Sequence, residues 1–424
     1  MKIAIIGTGI AGNVAAYKLR QQHDITVFEA GSYVGGHTNT VDVEEGGTRL
    51  AIDTGFIVFN DRTYPNFIGL LDEIGQASQP SVMSFSVQRQ DSGLEYAGSS
   101  LNSLFAQRRN ILRPAFYRMI RDILRFNDAT LHHVEELEET ETIGAYLVRN
   151  NYSKEFNDQY LVPMAAAIWS AEPVAILEMP VKFLVRFFAN HGLLQTANRP
   201  MWRVIEGGSR EYVSKLVAEH RDRIRLNSPV QSVSRIDDGV ELHSASGGKE
   251  HFDFVFIACH SDQALSLLAD ATDAERDVLG AIRYQANEAI LHTDDSLMPT
   301  RKLAWAAWNY HIPQEPDRHV AVTYNMNILQ GLQSQKEYLV TLNNDLDIDP
   351  AKIIQRIGYE HPIYSQEAVR AQCRQADINC DRTFYCGAYW RNGFHEDGVV
   401  STLHALQHFE KRLASEQLHL RRAG

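Results

Sequence analysis

Apolar positions recur along this chain in two rhythms. Near the start an apolar run from Lys2 to Ile6 reads as a short strand buried on both faces of a parallel sheet. Glycines at 7, 9 and 12 follow, then Val14, Ala15, Ala16 and Leu19 at helical spacing, then a second strand, Ile25 to Phe28, closing on Glu29. Residues 67–74, 101–133, 144–150 and 180–188 carry the 3.6-residue spacing of helices with one apolar side, Pro114 marking a break or restart in the second. Gly207-Gly208-Ser209-Arg210 opens an amphipathic helix through Leu216 and Val217. Strand-like runs cover 224–233, 252–260 and 383–390, and period-two alternation predicts strands at 288–292, 303–308 and 320–324. There is no internal repeat and no low-complexity tract.

The order strand, G-x-G-x-x-G, helix, strand, acid is the dinucleotide fingerprint in full context. Gly7 permits a tight turn, Gly9 lets the backbone approach a pyrophosphate, and Gly12 lets the helix pack on the sheet. The helix amino terminus at Ile10 and Ala11 turns free N–H groups and a positive dipole toward the anion. Glu29, followed by Ala30, is spaced to accept the hydroxyls of an adenosine ribose. A second Gly pair, Gly35-Gly36, then His37 and Thr38, gives another close backbone approach that a simple nicotinamide dehydrogenase does not need. Asp53-Thr54-Gly55-Phe56 follows another apolar stretch, where the chain can pass beneath an isoalloxazine ring. FAD is the cofactor this pattern favours.

Composition narrows the rest. A chain of 424 residues with 44% hydrophobic and 22% charged positions is an ordinary globular protein of two or three units. The net charge of −12 argues against bulk nucleic-acid binding. Four cysteines without a C-x-x-C pair exclude a disulfide scaffold and a zinc ribbon, so a cytoplasmic protein is expected. The glycines after Ile6 interrupt any signal-peptide core, and the charge-free stretch from Gln159 to Ala171 has 13 residues, too few to span a bilayer.

The GTGIAG loop, Glu29, Gly35-Gly36, Asp53-x-Gly55, Gly207-Gly208-Ser209-Arg210 and the segments after 224, 252 and 383 together resemble the flavin amine oxidase superfamily, which includes protoporphyrinogen oxidases and phytoene desaturases. The resemblance implies a Rossmann-like FAD-binding domain carrying an inserted α+β substrate domain, an α/β fold overall. It implies backbone contact to adenine at Val230. It also implies a strand delivering Gly387 to the pyrophosphate, and a helix amino terminus at Gly398 and Val399 pointing at the flavin pyrimidine, where it would stabilise the reduced ring. Two positions depart from the family pattern: His37 stands where Arg is frequent, and Ala388 where an acid is frequent. The runs 163–170, 308–310 and 388–398 are similar to a flavoprotein subgroup encoded beside cyclopropane-fatty-acyl synthase-like methyltransferases. That implies a lipid acyl substrate and a lipid-modifying methyltransferase as partner.

The three cofactor segments assign 1–60, 203–275 and 375–424 to the flavin domain, leaving 61–202 and 276–374 for the substrate domain. Tyr389 and Trp390, after the Gly387 turn, are candidates for aromatic residues facing the ring, or else pack the loop. Trp305, Trp308, Asn309 and Tyr310, and the pair Trp169-Ser170, are candidates for the pocket or for the core. His395 is a candidate proton donor or acceptor tuned by Glu396 or Asp397, and Asp397 reads equally as a helix cap. No metal site is expected: His132-His133 are adjacent and lack a ligand spacing. Cys386 and His37 lie in no attachment motif, so FAD should be held non-covalently.

Residues 101–126 carry Arg108, Arg109, Arg113, Arg118, Arg121 and Arg125 against the single acid Asp122, among many apolar residues. Such a segment either docks peripherally on the inner membrane face or packs its apolar side inward. The activity expected is FAD-dependent hydride abstraction from a hydrophobic, fatty-acyl or lipid substrate, by desaturation or C–H oxidation. An amine oxidase, a double-bond isomerase and a non-catalytic partner of a methyltransferase are the alternatives.

Overall fold

The computed structural model describes residues 1–131, 133–169, 171–195, 199–245, 248–314, 321–343 and 348–423, with side chains as far as 416. His132, Ser170 and Val320 lie outside the described residues.

A five-stranded parallel sheet runs in the order Ile224–Arg225, Asp24–Phe28, Lys2–Ile6, Phe254–Ile257, Thr383–Tyr385. Its strands are apolar at nearly every position because both faces are covered. Ile3 and Ile5 face the helix Ile10–Leu19 and the last helix, His395–Ala423, through Ala15, Leu19, Leu406 and Phe409. Ala4 and Ile6 face the other way, toward an antiparallel meander, Val230–Ile236, Gly239–Ser244 and Gly248–Phe252, and the helices Ser261–Leu267 and Asp273–Gly280. Alternation at period two thus puts successive side chains into two different cores.

A mixed seven-stranded sheet draws on both inserted stretches, in the order Ile353–Pro362, Tyr284–His292, Leu339–Leu342, Ala321–Asn325, Trp308–Ile312, Phe85–Arg89, Leu94–Ala97. Helices between 143 and 190 pack on it, and the shared core includes Phe156, Leu184, Phe188, Leu291 and Val340. The fold is thus α/β, with the parallel layer expected from the amino-terminal pattern.

Three local expectations are corrected. The stretch 61–202, read as mostly helical, also contributes the hairpin strands Phe85–Arg89 and Leu94–Ala97. Residues 303–308 are not a strand: a 3₁₀ turn occupies Lys302–Ala304 and the strand starts at Trp308, because Trp305 Nε1 donates back to the Pro299 carbonyl at 2.7 Å and holds the turn. The run 224–233 is two strands in two sheets, divided at Asn227, whose φ of +51° breaks an extended path. Pro114 does restart a helix, Pro114–Leu131, after a 3₁₀ turn at Arg108–Leu112.

Candidate functional site

The glycine turns meet at the carboxyl edge of the parallel sheet. Gly7 has φ +100°, and a Cβ on Gly12 would lie 1.9 Å from the Gly7 carbonyl oxygen, so no side chain fits at Gly12. Gly9 differs: it precedes the helix Ile10–Leu19 with an ordinary φ of −63°, and a Cβ there would meet no protein atom within 4 Å. The amino terminus of that helix therefore opens onto free space. Gly35 and Gly36, with φ of +140° and +57°, fold over it, and a Cβ on Gly36 would come within 3.0 Å of the Gly9 Cα. Glu29 accepts from the Thr8 and Gly31 amides at 2.9 and 2.7 Å. Ala30 beside it is exposed. Val230 is buried near Phe28, on the same side of the sheet as Glu29's strand end, where the Ser228 amide donates to the Glu29 carbonyl at 2.8 Å.

The next stretch crosses back. Phe56 donates its amide to the His37 carbonyl at 2.8 Å, and a Cβ on Gly55 would sit 2.1 Å from that oxygen. Asp53 is fully buried and fastens three elements: it accepts from the Ser209 amide and hydroxyl at 2.8 and 2.7 Å, the Thr40 hydroxyl at 2.6 Å and Gln330 Nε2 at 3.2 Å. Burial raises its pKa to about 6. Asp53 and the Gly207-Gly208-Ser209 turn are thus one structural joint.

The carboxy-terminal motif closes the site from above. Gly387 donates its amide to the Ser401 hydroxyl at 2.9 Å. The last helix begins at His395 rather than at Gly398, and the Gly398 amide closes its first turn on the Phe394 carbonyl at 3.1 Å. Gly398 is the crossing point of two helices, since a Cβ there would approach Ile10 Cγ2 to 2.6 Å. Thr402 secures the crossing by donating to the Ala11 carbonyl at 3.1 Å, and Val399 is buried beside Ile10 and Val14. Both chain ends therefore converge on the amino terminus of the first helix.

The three candidates for chemistry separate. His395 is buried, stacked on Phe56 with ring centroids 3.5 Å apart, and its Nε2 lies 3.0 Å from the hydroxyls of both Thr38 and Tyr212. Burial drives its pKa down to about 3, so the imidazole is neutral. Neither neighbouring acid tunes it. Glu396 instead caps the helix Pro65–Glu73, accepting from the Asn66 and Phe67 amides at 3.1 and 2.8 Å. Asp397 accepts from the Phe394 and Asn392 amides at 2.9 and 3.2 Å, the cap the sequence suggested, reaching back one turn. Tyr389 and Trp390 pack on each other at 5.0 Å within the core beneath the parallel sheet. The Tyr389 hydroxyl and Trp390 Nε1 are buried with no hydrogen-bond partner among the described residues.

Around His37, which the sequence placed beside the second Gly pair, other residues complete an aromatic and imidazole wall. His37 stacks on Tyr359 at 4.8 Å and lies 5.4 and 6.0 Å from the rings of His361 and His260, while His260 stacks on Tyr284 at 4.4 Å. The His37 ring donates to the Glu360 carbonyl, and its Nε2 is buried without a partner among the described residues. Burial and the neighbouring imidazoles hold His37 well below its usual pKa, and burial pushes His361 down to about 4. Tyr359 and His361 lie about three hundred residues from His37 in sequence, so only folding joins them.

Trp169 sits in a packed aromatic cluster. Its Nε1 donates to the Asn392 carbonyl at 3.2 Å, and its ring lies 4.8 Å from Phe187, which stacks on Phe394 at 5.3 Å. Tyr364 stacks on Phe183 at 4.9 Å at the edge of this cluster. Asn309, in contrast, is a core residue, its amide engaged by Ser86, Ala306 and Thr323. Tyr310 is buried, and Trp308 packs edge-on against Tyr324 within the seven-stranded sheet. Trp305 stays at the turn before it.

With this geometry in place, the profile of the family described as flavin containing amine oxidoreductase matches residues 10–319, well over half of the chain. The chain belongs to that family. This flavin amine oxidoreductase is an enzyme, and FAD is its cofactor. No curated protein matches it in sequence. Solved structures share its fold from end to end. Cyclohexylamine oxidase from Brevibacterium oxydans IH-35A has a TM-score of 0.69 at 15% identity, covering 97% of this chain and 99% of its own. Putrescine oxidase bound to putrescine gives 0.67 at 14%, covering 96% and 99%. The fatty acid isomerase from P. acnes that produces CLA gives 0.68 at 16%, covering 96% and 98%.

The residues present fit FAD. The free space at Gly9 beside an uncapped helix start suits a pyrophosphate, and the Glu29 carboxylate at the end of the second strand suits a ribose. Burial pushes the Cys386 and Cys259 thiols up to about 12, which removes the thiolate that covalent attachment would need.

Proposed function

We propose that this oxidoreductase removes hydride from a neutral, hydrophobic substrate, a fatty acyl chain of a lipid, by desaturation or C–H oxidation. Bound FAD supplies a ring that accepts hydride. The chain's own residues then have defined tasks. The Ile10 and Ala11 amides and the Gly36 turn hold the pyrophosphate, Glu29 and Ala30 take the ribose, and Val230 flanks the adenine. Phe56, locked by His395, Thr38 and Tyr212, forms a rigid support beside the ring. The first turn of the last helix, already capped by Asp397, would lend its dipole to the pyrimidine side. Desaturation also releases a proton, for which the free lone pair of neutral His37 Nε2 is one acceptor, a weak one because burial and the neighbouring imidazoles hold its pKa well below the usual value.

One observation carries the substrate class. Every acid buried around the convergence is engaged by backbone amides (Asp53, Glu396 and Asp397), and the histidines there are held neutral. Nothing in that set offers a free carboxylate to an ammonium group, which disfavours the amine reading. The fatty acid isomerase among the structural neighbours and the resemblance to the methyltransferase-associated subgroup support an acyl substrate. The resemblance to that subgroup also supports a lipid-modifying methyltransferase as partner, and the four free cysteines support a reducing cytoplasmic setting.

The test is anaerobic mixing of the holoenzyme with phospholipid or with simple amines while flavin absorbance is followed. Bleaching by lipid is expected. Bleaching by amines alone would replace this reading with the amine oxidase, product without bleaching with the isomerase, and no response with a non-catalytic role. Acid precipitation of the same sample should leave yellow FAD in the supernatant; a yellow pellet would overturn non-covalent binding.

A further inference from the structure

We propose that the surface formed by residues 101–125 docks on an anionic lipid bilayer. The chain gathers six arginines there against one acid; that acid, Asp122, is buried, accepting the Ser153 amide at 2.9 Å with one oxygen and lying 3.5 and 3.6 Å from Arg121 and Arg125 with the other. A helix that merely packed its apolar side inward would keep its leucines covered. Phe116, Met119 and Phe126 are covered, but Leu112 is 86%, Leu101 77%, Leu124 56% and Tyr117 47% exposed. Tyr117, Arg121 and Leu124 follow at helical spacing on the outer side of Pro114–Leu131, so apolar and cationic side chains share one face. Single exposed leucines are ordinary; a set interleaved with arginines matches an interface where tails and anionic head groups meet.

Charge complementarity selects the partner. The whole chain carries −12 and is repelled by an anionic surface, so only a local cationic face brings it there. Arginines near such a surface each strengthen binding about fivefold, and leucine insertion adds a part that salt does not screen. The same helix leans on 151–156: Arg118 pairs with Glu155, and Arg125 covers the Tyr152 ring at 4.1 Å. A cleft of about 390 Å³ begins beside that segment at Asn157, lined by Leu147, Val148, Leu177 and Tyr310 together with the charged Arg89 and Asp158. Docking does not depend on the substrate proposed above.

The test is co-sedimentation of holoenzyme with vesicles of phosphatidylcholine alone or mixed with phosphatidylglycerol, at low and high salt. Strong binding to mixed vesicles, weakened by salt, is expected. Arg121→Glu, at a side chain 70% exposed, should weaken it about tenfold or more. The double variant Leu112→Gln with Leu124→Gln should weaken it at both salt concentrations. Lys249→Glu, at a side chain 68% exposed on the meander, should leave it unchanged. Retained FAD absorbance and melting temperature confirm that each variant is folded. Absence of binding to mixed vesicles, equal binding to phosphatidylcholine alone, or equal binding by the Arg121 and leucine variants would each overturn the proposal.

Discussion

Gly9 and Gly12 look alike in the fingerprint and differ in physics. At Gly12 any side chain collides with the Gly7 carbonyl, so Gly12→Ala should impair folding itself. At Gly9 the backbone is ordinary and the space beyond it is free, so Gly9→Val should leave the apoprotein folded. The added methyls would then stand where the pyrophosphate approaches. Titration of apoprotein with FAD should show affinity lowered at least tenfold, about 1.4 kcal/mol or more, with unchanged circular dichroism. Equal affinity in Gly9→Val would remove the helix start from the cofactor site. Gly9, Gly12 and Glu29 were legible in the sequence because their roles follow from neighbours within one strand–turn–helix. The roles of His37 and His395 were not. Their partners Tyr359, His361 and Tyr212 arrive from distant parts of the chain, and no local spacing announces them.

Elements are joined here by carboxylates that serve another element's backbone. Glu396 opens the last helix yet caps Pro65–Glu73, and Asp53 ends a strand yet anchors the turn before Arg210–Val217. Glu396→Ala should therefore lower stability by about 1–2 kcal/mol, visible as an earlier thermal transition, while FAD remains bound. An unchanged transition would show that the cap is dispensable. Helix positions were readable from periodicity, as at 65–73 and 143–149, because one face meets a core. The strand starting at Trp308 was misplaced by alternation alone. Its register is set by Phe85–Arg89 pairing alongside it, more than two hundred residues away.

Across the whole molecule, buried histidines set the response to pH. Burial pushes His191, His220, His292 and His361 down to about 4 and His395 to about 3, from an ordinary 6.5. Each must stay neutral to remain folded, while the unfolded chain takes up protons below 6.5. Their contribution to stability is full above that value and is lost as pH falls toward 4, each imidazole costing up to about 1.4 kcal/mol for every pH unit. Asp53 and Asp397, both raised to about 6, act in the opposite sense, favouring the fold when protonated and losing that as pH rises from 4 to 6. Five groups outweigh two. Melting temperature should rise between pH 4.5 and 6.5 and level off above 7; a maximum near pH 5 would contradict this balance.

The sequence by itself determined the nucleotide cradle, because a turn between a buried strand and a helix needs glycine at fixed spacing and its acid at the next strand's end. It also determined the cationic face, since charge and apolar spacing along one helix are local properties. Only the tertiary structure decided which polar groups are free and which are engaged. Hydrogen bonding and burial depend on what is brought alongside, and here segments hundreds of residues apart meet to neutralise the histidines and occupy the acids.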